Sequence, residues 1–191
     1  MAFVQFVSES YLKTTTVIDD NVDMKLLNPT LRLVQEKFIL PILGTALYNK
    51  LVTEVTAGTL ASYYKTLMDD YILPTMSWYI MCESPIPLGY RFMNKGVMRK
   101  SSENSQPADV YDIHMNMDKA KDNAEYYALR LYKYLNANTS HFTEYTSPGT
   151  ASDTVFPNTR IFSSSIFLGD SGMQKSALTY KKDEGLDGQG Q

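Results

Sequence analysis

The chain has 191 residues, 43% of them hydrophobic and 20% charged, with a formal net charge of −3 and a pI near 5.4. That length fits one domain plus an appendage, and the acidic balance argues against a general nucleic-acid binder, which carries a basic excess. The single cysteine, Cys82, excludes an intramolecular disulfide and fits synthesis in a reducing compartment.

The start, Met1-Ala2-Phe3-Val4-Gln5, lacks the basic region and apolar core of a signal peptide. No run of about 18 uncharged apolar residues is present, so no membrane span is expected. Fourteen Tyr and ten Met beside one Trp suit surfaces that repack, and they suit a core equally well.

Residues 1–21 read as an N-terminal lead-in, with a short helix opening at Ser8–Leu12 and an extended stretch over Thr14–Ile18 from its β-branched run. Asp19-Asp20-Asn21 offers N-cap chemistry for a short helix through Leu27. Asn28-Pro29 then reads as the start of a longer helix, whose apolar face is Leu31, Val34, Phe38 and Ile42. Pro41 must disturb it and Gly44 offers a stop or hinge; a second run from Thr45 aligns Leu47, Leu51 and Val55 and ends near Gly58.

The third helix carries the stripe Leu60, Tyr64, Leu67, Tyr71, Pro74, Trp78 and Met81, with a kink expected at Pro74 and an end at Pro85 and Pro87. Residues 86–109 read as an irregular or β-hairpin insertion turning at Asn94-Lys95-Gly96, followed by a polar loop over Ser101–Pro107. The fourth helix, from about Ala108 to Asn136, repeats Val110, Ile113, Met117, Ala120, Ala124, Tyr127, Leu131 and Tyr134, and its two small residues admit a neighbour closely. No internal repeat is read.

Residues 138–191 differ from the rest. They are rich in Ser, Thr, Gly and Asn, lack helical periodicity, and carry the spaced couplets Val155-Phe156, Ile161-Phe162 and Ile166-Phe167-Leu168. This reads as an extended C-terminal arm that orders against another surface, with Phe156, Ile161, Phe162, Ile166, Phe167 and Leu168 as docking anchors. The fold class is therefore mainly α: a small antiparallel helical bundle over residues 22–137, with the hairpin insertion and the arm.

Catalytic chemistry is missing from the pattern. His114 and His141 lack partners at metal-ligand spacing. Asp69 and Asp70 point about 100° apart on a helix and read as solvated surface, while Asp19 and Asp20 read as caps. Gly169-Asp170-Ser171-Gly172 echoes a serine-protease motif, but in a low-complexity tail without a matching histidine region. No phosphate loop, dinucleotide fingerprint, metal set or cofactor motif is present. The one local basic cluster is Arg91, Lys95, Arg99 and Lys100; its bland reading is a solvated loop, and its sharper reading is contact with an acidic partner or a DNA backbone.

Three motifs stand in order along the chain. Ile39, Pro41, Leu43, Gly44, Leu47 and Tyr48 fill an Ile-x-Pro-x-Leu-Gly-x-x-Leu-Tyr pattern; Asn94, Gly96 and Val97 fill Asn-x-Gly-Val; Ala124, Tyr127, Leu131, Tyr134 and Leu135 fill Ala-x-x-Tyr-x-x-x-Leu-x-x-Tyr-Leu. Over roughly residues 20–137 the chain resembles a family of tailed-phage head–tail connector, or adaptor, proteins found especially in phages of Bacteroidetes hosts. The resemblance implies a non-enzymatic virion protein, made in the bacterial host cytoplasm and located at the head–tail junction. It implies a homo-oligomeric ring, typically dodecameric, that contacts the portal and the tail or further connector proteins. DNA would pass through its channel without specific binding, and no membrane or cofactor would be involved. The alternatives from other classes are a phage nucleic-acid-binding or packaging accessory protein using the 91–100 loop, and an unrecognised hydrolase.

Overall fold

A computed structural model describes residues 3–94, 96–99, 109–149 and 154–157. The chain divides into two units, Met1–Ile161 and Phe162–Gln191, and every described residue belongs to the first. That unit is mainly α-helical.

Helix α1 spans Glu9–Thr15 and is capped by Ser8, whose hydroxyl accepts from the Tyr11 N–H at 3.2 Å. Thr14 and Thr15, expected to be extended, remain helical. Their hydroxyls donate to the carbonyls of Ser10 (2.8 Å) and Tyr11 (2.6 Å), a local satisfaction that offsets the β-branched penalty. The first 21 residues are more than a lead-in, since Phe6, Val7, Leu12 and Ile18 are buried in the main core.

Helix α2 spans Met24–Val34 and its N-cap is Asp23, which accepts from the Lys25 N–H at 2.9 Å. Asp19 instead closes a turn by accepting from the Asn21 N–H at 2.8 Å. Pro29, expected to open the helix, lies inside it at the sixth position, past the first turn, where its missing N–H costs one helical bond.

Two π-helical turns follow the same rule. Gln35–Ile39 leads into α3 (Leu40–Ala57), and Leu67–Ile72 leads from α4 (Ser62–Thr66) into α5 (Leu73–Glu83). Each is followed by proline at the second position of the next α segment, Pro41 and Pro74. The sequence around them repeats, as Phe38-Ile39-Leu40-Pro41 and Tyr71-Ile72-Leu73-Pro74, a similarity that the absence of a longer repeat hides. A proline ring collides with the carbonyl four residues earlier in an α-helix; a wider turn moves that carbonyl aside, so the helix continues.

The inserted residue also rotates the buried stripe. In α4–α5 the fully buried apolar side chains are Leu67, Ile72, Met76 and Ile80, whereas Tyr64, Tyr71, Trp78 and Met81 are only half-buried. In α2–α3 the core takes Ile39 in place of the expected Phe38, which stacks on Tyr79 at 3.9 Å from the flank.

Gly44 breaks α3 with φ 75° and ψ 159°, and the helix ends at Gly58, whose left-handed φ of 67° lets the Thr59 N–H reach the Glu54 carbonyl at 3.0 Å. By length and composition Met24–Ala57 could cross a membrane. Its apolar side, including Leu27, Leu31, Ile39, Leu43, Leu47 and Leu51, is instead buried in the protein core.

Ser84 separates α5 from α6 (Pro85–Gly89); the prolines expected to end the element open a new short helix, because proline's missing N–H costs nothing in a first turn. Strands β1 (Tyr90–Met93) and β2 (Gly96–Arg99) pair antiparallel, with Met93 opposite Gly96. The Ser101–Pro107 stretch lies outside the described residues.

Helix α7 spans Val110–Ala137, capped by Asp109, and its buried residues are Ala120, Ala124, Ala128, Leu131 and Leu135. Three alanines four apart let α5 approach closely, and α5 against α7 is the most extensive helix pairing. Of the expected stripe Ala120, Ala124 and Leu131 are buried, Ile113, Met117, Tyr127 and Tyr134 are half-buried, and Val110 is 46% exposed; Ala128 and Leu135 take the core positions next to the two tyrosines. Past the helix, Phe142 and Tyr145 are buried in the core and Thr143–Thr146 forms α8. The folded unit therefore continues beyond residue 138, where the arm was expected to begin, because these two aromatic rings fill space between the helices.

Gln35 ties the ends of this core together. Fully buried, it accepts from the Phe6 N–H (3.2 Å) and donates to the Val4 carbonyl (2.9 Å) and the Tyr48 hydroxyl (2.8 Å). Gln35→Leu would orphan all three groups, and we expect a loss of about 2–4 kcal/mol in urea unfolding, with early protease cleavage before α1.

Candidate interaction site

The break at Gly44 leaves Thr45 at the start of a new helical run, where its N–H has no partner four residues back. The chain returning at Val155 supplies one. The Thr45 N–H donates to the Val155 carbonyl at 2.9 Å, and the Val155 N–H donates to the Thr45 hydroxyl oxygen at 2.8 Å. A Cβ on Gly44 would lie 2.7 Å from Pro157 Cδ and 3.2 Å from the Val155 oxygen. Glycine is thus required twice at this position, for its backbone angles and for the contact.

Residues 154–157 are therefore held on the helical unit, while Phe156 is 65% exposed. Phe156 and Pro157 border a cavity of about 460 Å³ with Tyr145, Thr139 and Asn136. Of the expected anchors only Phe156 falls within the described residues; Ile161, Phe162, Ile166, Phe167 and Leu168 lie outside them.

The family-motif positions of the first helix pair converge on this break. Ile39 ends the π turn, Pro41 follows it, Leu43 and Leu47 are fully buried, Gly44 makes the break, and Tyr48 turns back to Gln35 and packs on Phe6 at 5.3 Å. Asn94 and Gly96 stand at the hairpin turn. Of the basic cluster, Arg91 pairs with Met98 and Arg99 with Tyr90 on successive rungs of the ladder, while Lys95 and Lys100 lie outside the described residues.

A second feature escaped sequence reading. Val17, Val22, Trp78, Met81, Leu88 and Ala120 line a largely apolar groove of about 650 Å³ between the α1–α2 connection, α5, α6 and α7. Its residues come from four separate places in the chain, so no single stretch announces it. The available signal was Val17, an apolar residue beside an acidic turn.

His141 stacks on Tyr63 at 3.8 Å, and His114 is exposed. Asp69 and Asp70 are both exposed, as solvated surface residues should be. Among the described residues no group of three His, Cys, Asp or Glu side chains could hold a metal ion. Burial pushes the Cys82 thiol up, away from the reactive thiolate. The Tyr64 hydroxyl donates to Glu144 at 3.0 Å; burial first, then that carboxylate, pushes Tyr64 up to about 12. Burial also works to raise the Glu144 carboxyl, but its own backbone N–H, the Tyr64 and Thr143 hydroxyls and Lys50 hold it below the ordinary value.

A family model described as a family of unknown function (DUF6712) matches residues 39–155. The chain belongs to that family. The DUF6712 match begins at Ile39, just ahead of Pro41, and closes on Val155, so it holds both halves of the Thr45–Val155 contact. No match was found among curated proteins or among solved structures.

Two outcomes are expected. Gly44→Ala should cost about 2–4 kcal/mol, since it combines a backbone region open essentially to glycine with a clash against Pro157, whereas Gly58→Ala, with open space around it, should cost about 1 kcal/mol; chemical unfolding of both variants checks the difference. Tyr64 and Tyr79, each pushed up to about 12, remain protonated in the folded chain where the unfolded chain ionises. Their contribution to stability is complete below about pH 10 and is lost as pH rises toward 12. A titration followed by tyrosinate absorbance and circular dichroism should show unfolding in that window, delayed tyrosinate formation, and no change from pH 8 to 9.

Proposed function

We propose that this protein is a non-enzymatic virion subunit, a head–tail connector or adaptor that forms a closed ring under the portal of a tailed phage and joins capsid to tail. The observation that carries the reading is the Thr45–Val155 contact. It anchors the chain on the helical unit immediately before a segment whose next apolar residues are the couplets Ile161-Phe162 and Ile166-Phe167-Leu168. An anchored exit followed by apolar couplets in the sequence suits an arm that docks on a neighbouring subunit or the portal. The resemblance of the Ile39–Tyr48 motif to connector proteins supports the same reading, and the positions it names are those that build the break and the exit.

In this proposal the domain is a small antiparallel bundle with a hairpin insertion and an arm, and the arm begins after Pro157. The ring interface is heterologous: the arm of one subunit lies on a different patch of the next, and closure lets modest pairwise affinity suffice. The subunit is made in the host cytoplasm, ends at the head–tail junction, holds no cofactor, contacts no membrane, and lets DNA pass without specific binding. One further reading is a packaging accessory role for the basic cluster Arg91, Lys95, Arg99 and Lys100, since phosphate binding needs only local positive density.

Quantitative mass spectrometry of purified virions tests the proposal. Copies equal in number to the portal's, on the order of twelve for a closed ring, are expected. Phe162→Ala combined with Phe167→Ala should remove the chain from particles without reducing its helicity; loss of helicity would mean that those residues are core. Absence from particles, with strongly salt-dependent DNA binding by the isolated chain, would replace the connector with the packaging role.

A further inference from the structure

We propose that the groove formed by Val17, Val22, Trp78, Met81 and Leu88 is the seat for the Ile161–Leu168 segment of a second copy of this chain. The inference rests on the ring reading above and names the surface that receives the arm. Val17 is the first indication: it is 87% exposed on the groove rim, next to buried Ile18. The groove has the volume of a binding cleft, and its floor is built from side chains that are only half-buried, Trp78, Met81 and Leu88 among them. Half-buried Met and Trp offer adaptable, high-area contact to an irregular apolar partner.

The occupant is identified by sequence and reach. Residues 158–191 follow the Val155 anchor, and Ile161–Leu168 is their apolar stretch. Extended, the chain places Leu168 up to about 36 Å from Pro157, comparable to the roughly 40 Å diameter of a compact unit of this size. The segment can therefore reach a neighbouring subunit while its own anchor on Thr45 stays intact. Charge agrees as well. The groove rim carries Asp19 and Lys119, and the segment is flanked by Arg160 and Asp170, one opposite partner for each. The contact is heterologous, because the groove and the segment are different parts of the same chain, and such contacts build a ring where the rotation between subunits closes.

Trp78 is the only tryptophan, so its fluorescence reports the groove directly. The test follows Trp78 emission and sedimentation of the full chain as concentration rises. Association accompanied by a blue shift of Trp78 is expected. Val17→Asp, at an exposed position, should keep native circular dichroism yet weaken association more than about tenfold and abolish the shift. If the chain remains monomeric at every concentration, a synthetic peptide of residues 158–172 added to the Phe162→Ala/Phe167→Ala chain should give a saturable shift that Val17→Asp removes. Association without a Trp78 shift, a shift independent of concentration, a Val17→Asp chain that associates normally, or a peptide without effect would each overturn the proposal. Particle incorporation is read separately, so a chain absent from virions but passing this test would lose the connector role and keep the groove.

Discussion

The backbone of Gly44 is the constraint on which the rest of the fold depends. A residue with φ 75° and ψ 159° cannot continue a helix, and the break redirects the chain so that Tyr48 meets Gln35 while Leu47 and Leu51 enter the core. It also frees one N–H, at Thr45, and that donor is what holds Val155. One backbone conformation thus sets the helix direction, closes the N-terminal segment through Gln35, and holds the returning chain at Val155. Any side chain at residue 44 would disturb all three together, because its Cβ would press on Pro157 as well as strain its own backbone.

The mainly α character was legible because it rests on the three-and-four spacing of apolar residues, which α7 obeys from Ala120 to Leu135. The helix limits at Gly58 and Asp109 were close to legible, since left-handed glycine and N-cap aspartate act locally. The buried face of α4–α5 was not, because periodicity assumes 3.6 residues per turn and the π turn before Pro74 inserts one more. The other π turn, before Pro41, moved Phe38 off the core face in favour of Ile39. A helix-compatible proline is ambiguous in sequence, and only the wide turn ahead of it decides between a stop and a continuation.

The candidate surfaces were legible to different degrees. Gly44 and Tyr48 stood out as motif positions, but Val155, which bonds Thr45 beside Gly44, is 110 residues from it and Gln35 is 13 residues from Tyr48, and neither follows a local pattern. Phe142 and Tyr145 looked like part of a polar arm because their surroundings are polar. Both are nevertheless buried, and Phe142 packs among aromatic neighbours, Tyr64 edge-on at 5.5 Å and Tyr134 at 5.9 Å. Tyrosine serves both roles in this chain: Tyr71 and Tyr134 stack at 4.0 Å on the flank of the core, and the Arg130 guanidinium covers Tyr71 at 4.8 Å. The abundance of tyrosine therefore reflects wide, half-buried helix flanks as much as any surface reserved for a partner.

The contact at Thr45 also has a mechanical consequence. Tension applied through residues beyond Pro157 reaches Val155 before it reaches α8, Phe142 or Tyr145. The two hydrogen bonds at Val155 must part before the pull can draw those aromatic rings out of the core, so the site works as a strain relief, like the knot that keeps a tugged cable from loosening its terminals. An isolated pair of such bonds is weak and reversible. A pull on the chain at Pro157 would therefore part the Thr45 contact first, and the contact would re-form when the pull falls.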